Sequence, residues 1–208
     1  MIPFETIITF FTASVLLALV PGPDNIFVLT QSAVRGRTAG LSVMAGLCTG
    51  LIFHSVAVAL GVAAIFKTSA IAFMLLKFAG AGYLIWLAWQ ILRAPAEKIQ
   101  NDDTSESGLL KLYGRGIIMN ITNPKVSIFF LAFLPQFADP LRGNVTIQIL
   151  ILGGFFILST IIVFGSIALL AGSIGNMLNK SNRAQLIMNK IAGMVFIGLA
   201  VKLAMVKQ

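Results

Sequence analysis

The sequence predicts an all-α integral membrane protein with six transmembrane helices, arranged as two inverted three-helix repeats in which helices 1 and 4 are broken. The first observation is composition: 58% of the 208 residues are hydrophobic and only 11% are charged, against roughly a quarter in soluble domains. The second is that six apolar segments each reach the roughly 20 residues that cross a bilayer. The third is a polar, proline-containing break in the first and fourth segments. The six segments are residues 5–31, 39–66, 70–92, 115–137, 145–172 and 184–205.

The first segment is interrupted at Pro21-Gly22-Pro23-Asp24-Asn25. Pro23 can begin a new half-helix, Gly22 supplies the backbone freedom to turn into it, and Pro21 removes an N–H donor from the preceding half. Unpaired backbone groups and an ionisable side chain at membrane depth are tolerated where protein or a water-filled cavity covers them. We therefore interpret this break as half of a transport site.

Glycines within and just before the second segment create small-xxx-small spacing, namely Gly36, Gly40, Gly46 and Gly50. This spacing lets helix backbones approach closely and also permits a homodimer. His54 lies near the centre of the same segment and is the one histidine of the chain. Its ordinary pKa of about 6.5 suits proton exchange, although a buried histidine can equally bridge two helices through hydrogen bonds.

The third segment ends with Trp86 and Trp89, which are typical anchors at a membrane interface. Residues 93–114 are the one long hydrophilic stretch, and they lack the apolar residues for a core of their own. The sequence therefore predicts a first repeat over residues 1–92, a linker on the inner side over 93–114, and a second repeat over 115–208.

The second repeat begins with a related break, where Asn123 and Pro124 can cap and start another half-helix. Pro23-Asp24 then corresponds to Pro124-Lys125, and residues 77–80 correspond to residues 190–193. Because each half holds three spans, an odd number, the second half inserts upside down relative to the first. That arrangement is the inverted repeat of many transporters. The fifth segment has no charge and is predicted to be a scaffold that contacts lipid.

The two breaks together predict a site for a zwitterion. The N-terminus of a half-helix favours an anion such as a carboxylate. In this hypothesis Asp24 takes the ammonium group of an amino acid or a proton, and Lys125 with the neighbouring N–H groups takes the carboxylate. Asn25, Asn120 and Asn123 add hydrogen bonds. The alternative is an Asp24–Lys125 ion pair that only holds the two halves together.

The remaining features exclude other classes of protein. The net charge of +8 comes from Lys and Arg at helix ends and not from a nucleic-acid-binding run. Their distribution places both termini outside by the positive-inside rule. The single Cys48 rules out an internal disulfide or a thiolate metal site, and the chain shows no nucleophile–base pattern of an enzyme. No cofactor and no metal are expected.

Four motifs together resemble the LysE/RhtB family of amino-acid exporters: residues 21–25, 45–54, 79–87, and 120–125 with 134–137. The resemblance spans nearly the whole chain and is nearest the homoserine, homoserine lactone and threonine branch. It implies a bacterial inner-membrane exporter of small neutral amino acids or derivatives that exchanges substrate for protons, with Asp24 and His54 as the candidates for proton coupling. The alternative is a small-ion carrier of related fold, in which Asp24 would bind a cation.

Overall fold

The computed structural model describes residues 2–68, 70–93, 108–180 and 182–205, and these ranges contain helices and short turns but no strand. A π-helical turn (Phe129–Phe133) and a 3-10 turn (Leu134–Phe137) continue the short helix that begins at Pro124. A second 3-10 turn (Pro140–Arg142) precedes the long helix that begins at Val145. The predicted all-α class is confirmed. The α-helices are α1 (Phe4–Leu19), α2 (Pro23–Arg35), α3 (Arg37–Thr68), α4 (Ala70–Arg93), α5 (Leu109–Thr122), α6 (Pro124–Ile128), α7 (Val145–Lys180) and α8 (Asn182–Met205).

Both predicted breaks are present. The chain bends by 61° between α1 and α2, and by 52° between α5 and the segment Pro124–Phe137. In each case a proline occupies the first turn of the second half, where its missing N–H has no intrahelical partner to lose. Gly22 is fully extended before Pro23, with φ −167° and ψ 176°.

Within the part of the chain that the structure describes, two helices are long and apolar enough to cross a membrane, within Arg37–Gly61 and Val145–Ala171. Each bent pair meets the same criterion if it is counted as one span. Helices α4 and α8 coincide with the third and sixth predicted segments. Helix α5 begins at Leu109 rather than near residue 115, because Leu109, Leu110 and Leu112 extend its apolar pattern toward the N-terminus. Residues 94–107 of the predicted linker lie outside the described residues.

The helices pack in pairs that cross between the two halves of the chain. Helix α3 packs along α5, and α7 packs along both α1 and α2. Helix α3 also contacts α7, and α4 packs along α8. Large hydrophobic side chains cover the outer surface of the helices, including Leu60, Ile71 and Leu75, each about two-thirds or more exposed. Such a surface is stable in a bilayer and not in water.

The glycines of α3 serve close packing, as their spacing predicts. A Cβ atom on Gly46 would overlap the carbonyl oxygen of Tyr113, and one on Gly116 would overlap that of Val43. The backbones of α3 and α5 therefore touch. One turn further along α3, a Cβ on Gly50 would lie 2.6 Å from Oδ1 of Asn120, so only glycine leaves room for that side chain.

Two separate apolar clusters fill the interior, one on each side of the helix breaks. Helix α3 passes from the small cluster at Leu47 to the large cluster at Leu51, and α7 passes from the large cluster at Phe156 to the small cluster at Val163. The small cluster consists of Ala18, Phe27, Val28, Ala39, Val43, Leu47, Leu112, Val163, Phe164 and Ala168. The large cluster contains Phe10, Ala13, Leu17, Val20, Leu51, Val58, Ala59, Ala81, Leu84, Ala88, Val126, Phe129, Phe130, Ala132, Phe133, Leu134, Ala138, Ile149, Leu152, Phe156, Ala192, Phe196, Leu199, Ala200 and Leu203.

Candidate functional site

The two helix breaks lie against each other, and each one binds a group of the other. Nδ2 of Asn123 donates to Oδ2 of Asp24 at 2.9 Å. Nζ of Lys125 donates to the carbonyl oxygen of Val20 at 3.2 Å, at the end of α1. The sequence separation across these bonds is about 100 residues, so the fold brings together the two motifs that the sequence singled out.

The second break is stabilised locally by its N-cap. The side chain of Asn123 accepts a hydrogen bond from the backbone N–H of Lys125 at 3.0 Å, which is the bond an N-cap residue makes to an otherwise unpaired donor. The predicted capping role of Asn123 is therefore confirmed. Its amide then has Nδ2 free to reach Asp24, so one residue both starts α6 and holds the acidic side chain of α2.

All five predicted substrate-binding residues are buried, and three of them, Asp24, Asn120 and Lys125, line one cavity. Asp24, Asn120, Asn123 and Lys125 are each at most 9% exposed. Asn25 is also buried, and its Nδ2 donates to the carbonyl oxygen of Ala18 at 2.7 Å, so it ties α2 back to α1.

Asp24, Asn120 and Lys125 line a small cavity at the boundary between the two apolar clusters. About 20 Å³ of it is accessible to the centre of a water molecule, which is room for one water. An amino acid does not fit. A ligand of the size of an amino acid would require the lining helices to move apart.

Three hydrogen-bond acceptors at the breaks have no partner among the described residues: Oδ1 of Asp24, Oδ1 of Asn25 and Oδ1 of Asn120. Each buried, unpaired polar atom costs about 1–3 kcal/mol. Asp24 and Lys125 thus make their hydrogen bonds to Asn123 and Val20 respectively, and one carboxylate oxygen remains unoccupied. A ligand that supplies N–H or O–H donors would satisfy these atoms.

His54 lies beside the site and does not line the cavity. Its Nε2 is 3.3 Å from the carbonyl oxygen of Asn120, and its ring lies 5.5 Å from that of Phe130. The side chain is half-buried. The histidine therefore contacts the last turn of α5 immediately before the second break.

Helix α7 contributes a wall of the cavity, which the sequence analysis missed. Phe156, Thr160 and Phe164 repeat at intervals of four residues, share one face of α7, and line the cavity. The prediction that this segment is only a scaffold in contact with lipid is wrong for this face. The signal in the sequence was the polar pair Ser159-Thr160 within a long apolar run.

The chain is similar to known proteins over nearly its whole length. The LysE type translocator family matches residues 15–207. The chain belongs to this family. It is 36% identical over 201 residues to a homoserine/homoserine lactone efflux protein of Salmonella typhi, and the match covers 97% of both chains. The corresponding protein of Salmonella typhimurium is 35% identical over 97% of both chains, and an uncharacterized membrane protein of Vibrio cholerae is 33% identical over 96% of this chain and 97% of that protein.

No solved structure matches the chain. The family assignment confirms the resemblance drawn from the four sequence motifs. A member of this translocator family with an apolar, helical fold is a multi-pass membrane protein of a transporter family.

Proposed function

We propose that the protein exports small neutral amino acids or their derivatives, of the homoserine and threonine kind, from a bacterial cytoplasm in exchange for protons. The observation that carries the proposal is an acidic and a basic residue, on two opposed half-helices, at one buried cavity. The chain around them is about a third identical to homoserine/homoserine lactone efflux proteins.

The binding step follows from the unpaired groups. A substrate ammonium has three N–H donors, and Asp24 and Asn120 present unpaired acceptors at the cavity. The substrate carboxylate is bound by Lys125, assisted by the backbone N–H groups at the start of α2. Lys125 gives up its bond to the Val20 carbonyl, which lies at the end of α1 and can bind water once the cavity opens.

The exchange step follows from competition for Asp24. A protonated Asp24 binds an ammonium group more weakly than an ionised Asp24 does, because protonation removes the charge that attracts the ammonium. A proton that enters from outside therefore favours release of the substrate. His54 is the second candidate in this pathway, since it contacts the backbone of Asn120 beside the site.

The proposed architecture is six spans in two inverted repeats, residues 1–92 and 115–208, joined by the inner linker 93–114, with both termini outside. The pattern of helix contacts supports it. Exchanging the halves converts the α3–α5 contact into the α7–α1 contact, and the α3–α4 contact into the α7–α8 contact. In the α3–α7 pair and in the α4–α8 pair, the exchange puts each helix in the place of its partner, as expected for helices related by a two-fold axis.

The experiment is flux through purified protein in proteoliposomes, with labelled homoserine, threonine, leucine and lysine, and with the pH gradient imposed or collapsed. We expect gradient-dependent flux of homoserine and threonine.

Asp24→Asn keeps the size of the side chain and an acceptor for Asn123, but removes the charge. It should lower homoserine flux about 100-fold, because a charge-assisted hydrogen bond is worth up to about 3 kcal/mol. His54→Gln should make the remaining flux less sensitive to the gradient.

Asp139→Asn is the matched control. Asp139 pairs with Arg142 at 3.0 Å on a partly exposed turn, so its neutralisation should leave flux unchanged. Wild-type flux through Asp24→Asn would contradict the role of Asp24.

The unpaired oxygen atoms at the breaks also suit a small cation. Flux of Na⁺ or K⁺ in the absence of amino-acid flux would favour the small-ion carrier.

A further inference from the structure

The wall formed by α7 presents one polar group to the cavity. Asp24, Asn120 and Lys125 belong to the breaks, whereas Thr160 is a polar lining residue from a continuous helix. It is 3% exposed and lies between Phe156 and Phe164 on the same face of α7. The other groups of the lining away from the breaks are apolar side chains of α1, α3 and α7.

The hydroxyl group of Thr160 can change partners without leaving a backbone group unpaired. Its Oγ1 donates to the carbonyl oxygen of Phe156 at 3.0 Å, and Oγ of Ser159 donates to the same oxygen at 2.7 Å. If Thr160 turned toward a ligand, the Phe156 carbonyl would keep the Ser159 hydroxyl. Even without turning, Oγ1 retains lone pairs that can accept a hydrogen bond.

We propose that Thr160 recognises the side-chain hydroxyl group of the transported amino acid. This inference rests on the proposed function. The breaks bind the ammonium and carboxylate groups that all amino acids share, so they do not distinguish one neutral amino acid from another. Thr160 supplies the group that distinguishes them. A site built to bind a hydroxyl group rejects an analogue that lacks it more strongly than an apolar pocket rejects a small change of shape.

The substrate class follows from the rest of the wall. Around Thr160 the cavity is lined by apolar side chains such as Leu17, Leu51 and Phe164. A side chain that fits is short, uncharged, and carries one hydroxyl within reach of α7. We therefore expect homoserine to be preferred over norvaline, and threonine over valine, since each pair differs by a hydroxyl in place of a methyl group.

The test is competition between labelled homoserine and norvaline in proteoliposomes that contain the full-length protein. Thr160→Val removes the hydroxyl at constant shape and should lower the homoserine-to-norvaline flux ratio about tenfold, the worth of one hydrogen bond. Thr160→Ser should keep the wild-type ratio. The control is Ser159→Ala, which removes a hydroxyl from the same Phe156 carbonyl at a buried position that does not line the cavity, and it too should keep the ratio.

An unchanged ratio in Thr160→Val, with norvaline flux intact, would overturn the role of Thr160 and leave the exporter intact. If Thr160→Val does not fold, Thr160→Ala is expected to give the same lowered ratio, and a wild-type ratio in that variant would equally overturn the inference. Failure of the wild-type protein to carry either amino acid would instead contradict the proposed function itself.

Discussion

The large and small apolar clusters lie on opposite sides of the cavity, and they differ in aromatic packing. Within the described residues the large cluster holds six phenylalanines, and the rings of Phe129 and Phe133 lie 4.7 Å apart. The small cluster holds two phenylalanines and is otherwise built from Ala, Val and Leu. Stacked aromatic rings contribute attraction beyond their buried area, so separation of the large cluster costs more.

Buried acceptors without a partner among the described residues lie beside both clusters, and beside the large cluster this acceptor is Oε1 of Gln136. Beside the large cluster, the hydroxyl groups of Ser14 and Ser55 each donate to a carbonyl of their own helix. Beside the small cluster, Oγ1 of Thr30 and Oε1 of Gln31 are buried on α2 without a partner. Water that entered there would find acceptors to bind. From the weaker aromatic packing we expect the α2 side to open more readily, and in the proposed orientation this side faces the cytoplasm.

The largest effect is expected from truncation of the aromatic packing. Phe129→Ala should lower the free energy of unfolding by about 3–5 kcal/mol, because the ring is fully buried against Phe10, Phe133 and Phe156. Thermal unfolding in detergent measures it. Leu131→Ala, on the same turn but 44% exposed, should have little effect. Phe27→Ala in the small cluster should cost less than Phe129→Ala, and an equal or greater loss there would reverse the comparison.

A second effect concerns which side opens to water. In a protein with Cys48→Ser, cysteines at Val28 and Leu152 replace fully buried residues of the small and large clusters. The cysteine at position 28 should react with a water-soluble thiol reagent at least about tenfold faster, which corresponds to ~1.4 kcal/mol in opening free energy. Mass spectrometry of timed samples gives both rates. Faster labelling at position 152 would show that the aromatic side is the one that opens.

The smallest effect comes from the unpaired hydroxyl on α2. Thr30→Val keeps the shape and removes a buried acceptor that has no partner, so it should raise the free energy of unfolding by about 1 kcal/mol. Ser32→Ala is its control, since that hydroxyl donates to the Val28 carbonyl at 2.7 Å and its loss should not stabilise. Destabilisation by Thr30→Val, seen in the same unfolding measurement, would mean that Thr30 has a partner in the native protein.

The sequence predicted most of the local structure, because proline and asparagine chemistry acts over a few residues. The breaks at Pro23 and Pro124, and the N-cap at Asn123, lie where their side chains require them. The six segments coincide with helices or bent pairs. What the sequence could not supply was packing between helices: that Asn25 bonds back to Ala18 in α1, and that Thr160 faces the cavity. Both side chains are ordinary polar residues in a helix until their neighbours from other helices are known.

The π-helical turn after α6 shows the same limit. Nothing in the run Phe129–Phe133 distinguishes it from ordinary apolar helix. Its aromatic rings pack on Phe10 of α1 and Phe156 of α7, and these partners lie far away in the chain. The change from α-helix to π-helix therefore coincides with tertiary contacts and not with a local preference of these residues.

The contact of Gly46 with α5 has a consequence for the history of the gene. Helix α3 lies in the first half of the chain and α5 in the second, and their backbones meet without intervening side chains. The two halves thus contact each other directly, through the backbones of α3 and α5. Two genes, each encoding one half, should be able to rebuild the protein in a membrane, which is the route by which a pair of small ancestral subunits could have become a single chain.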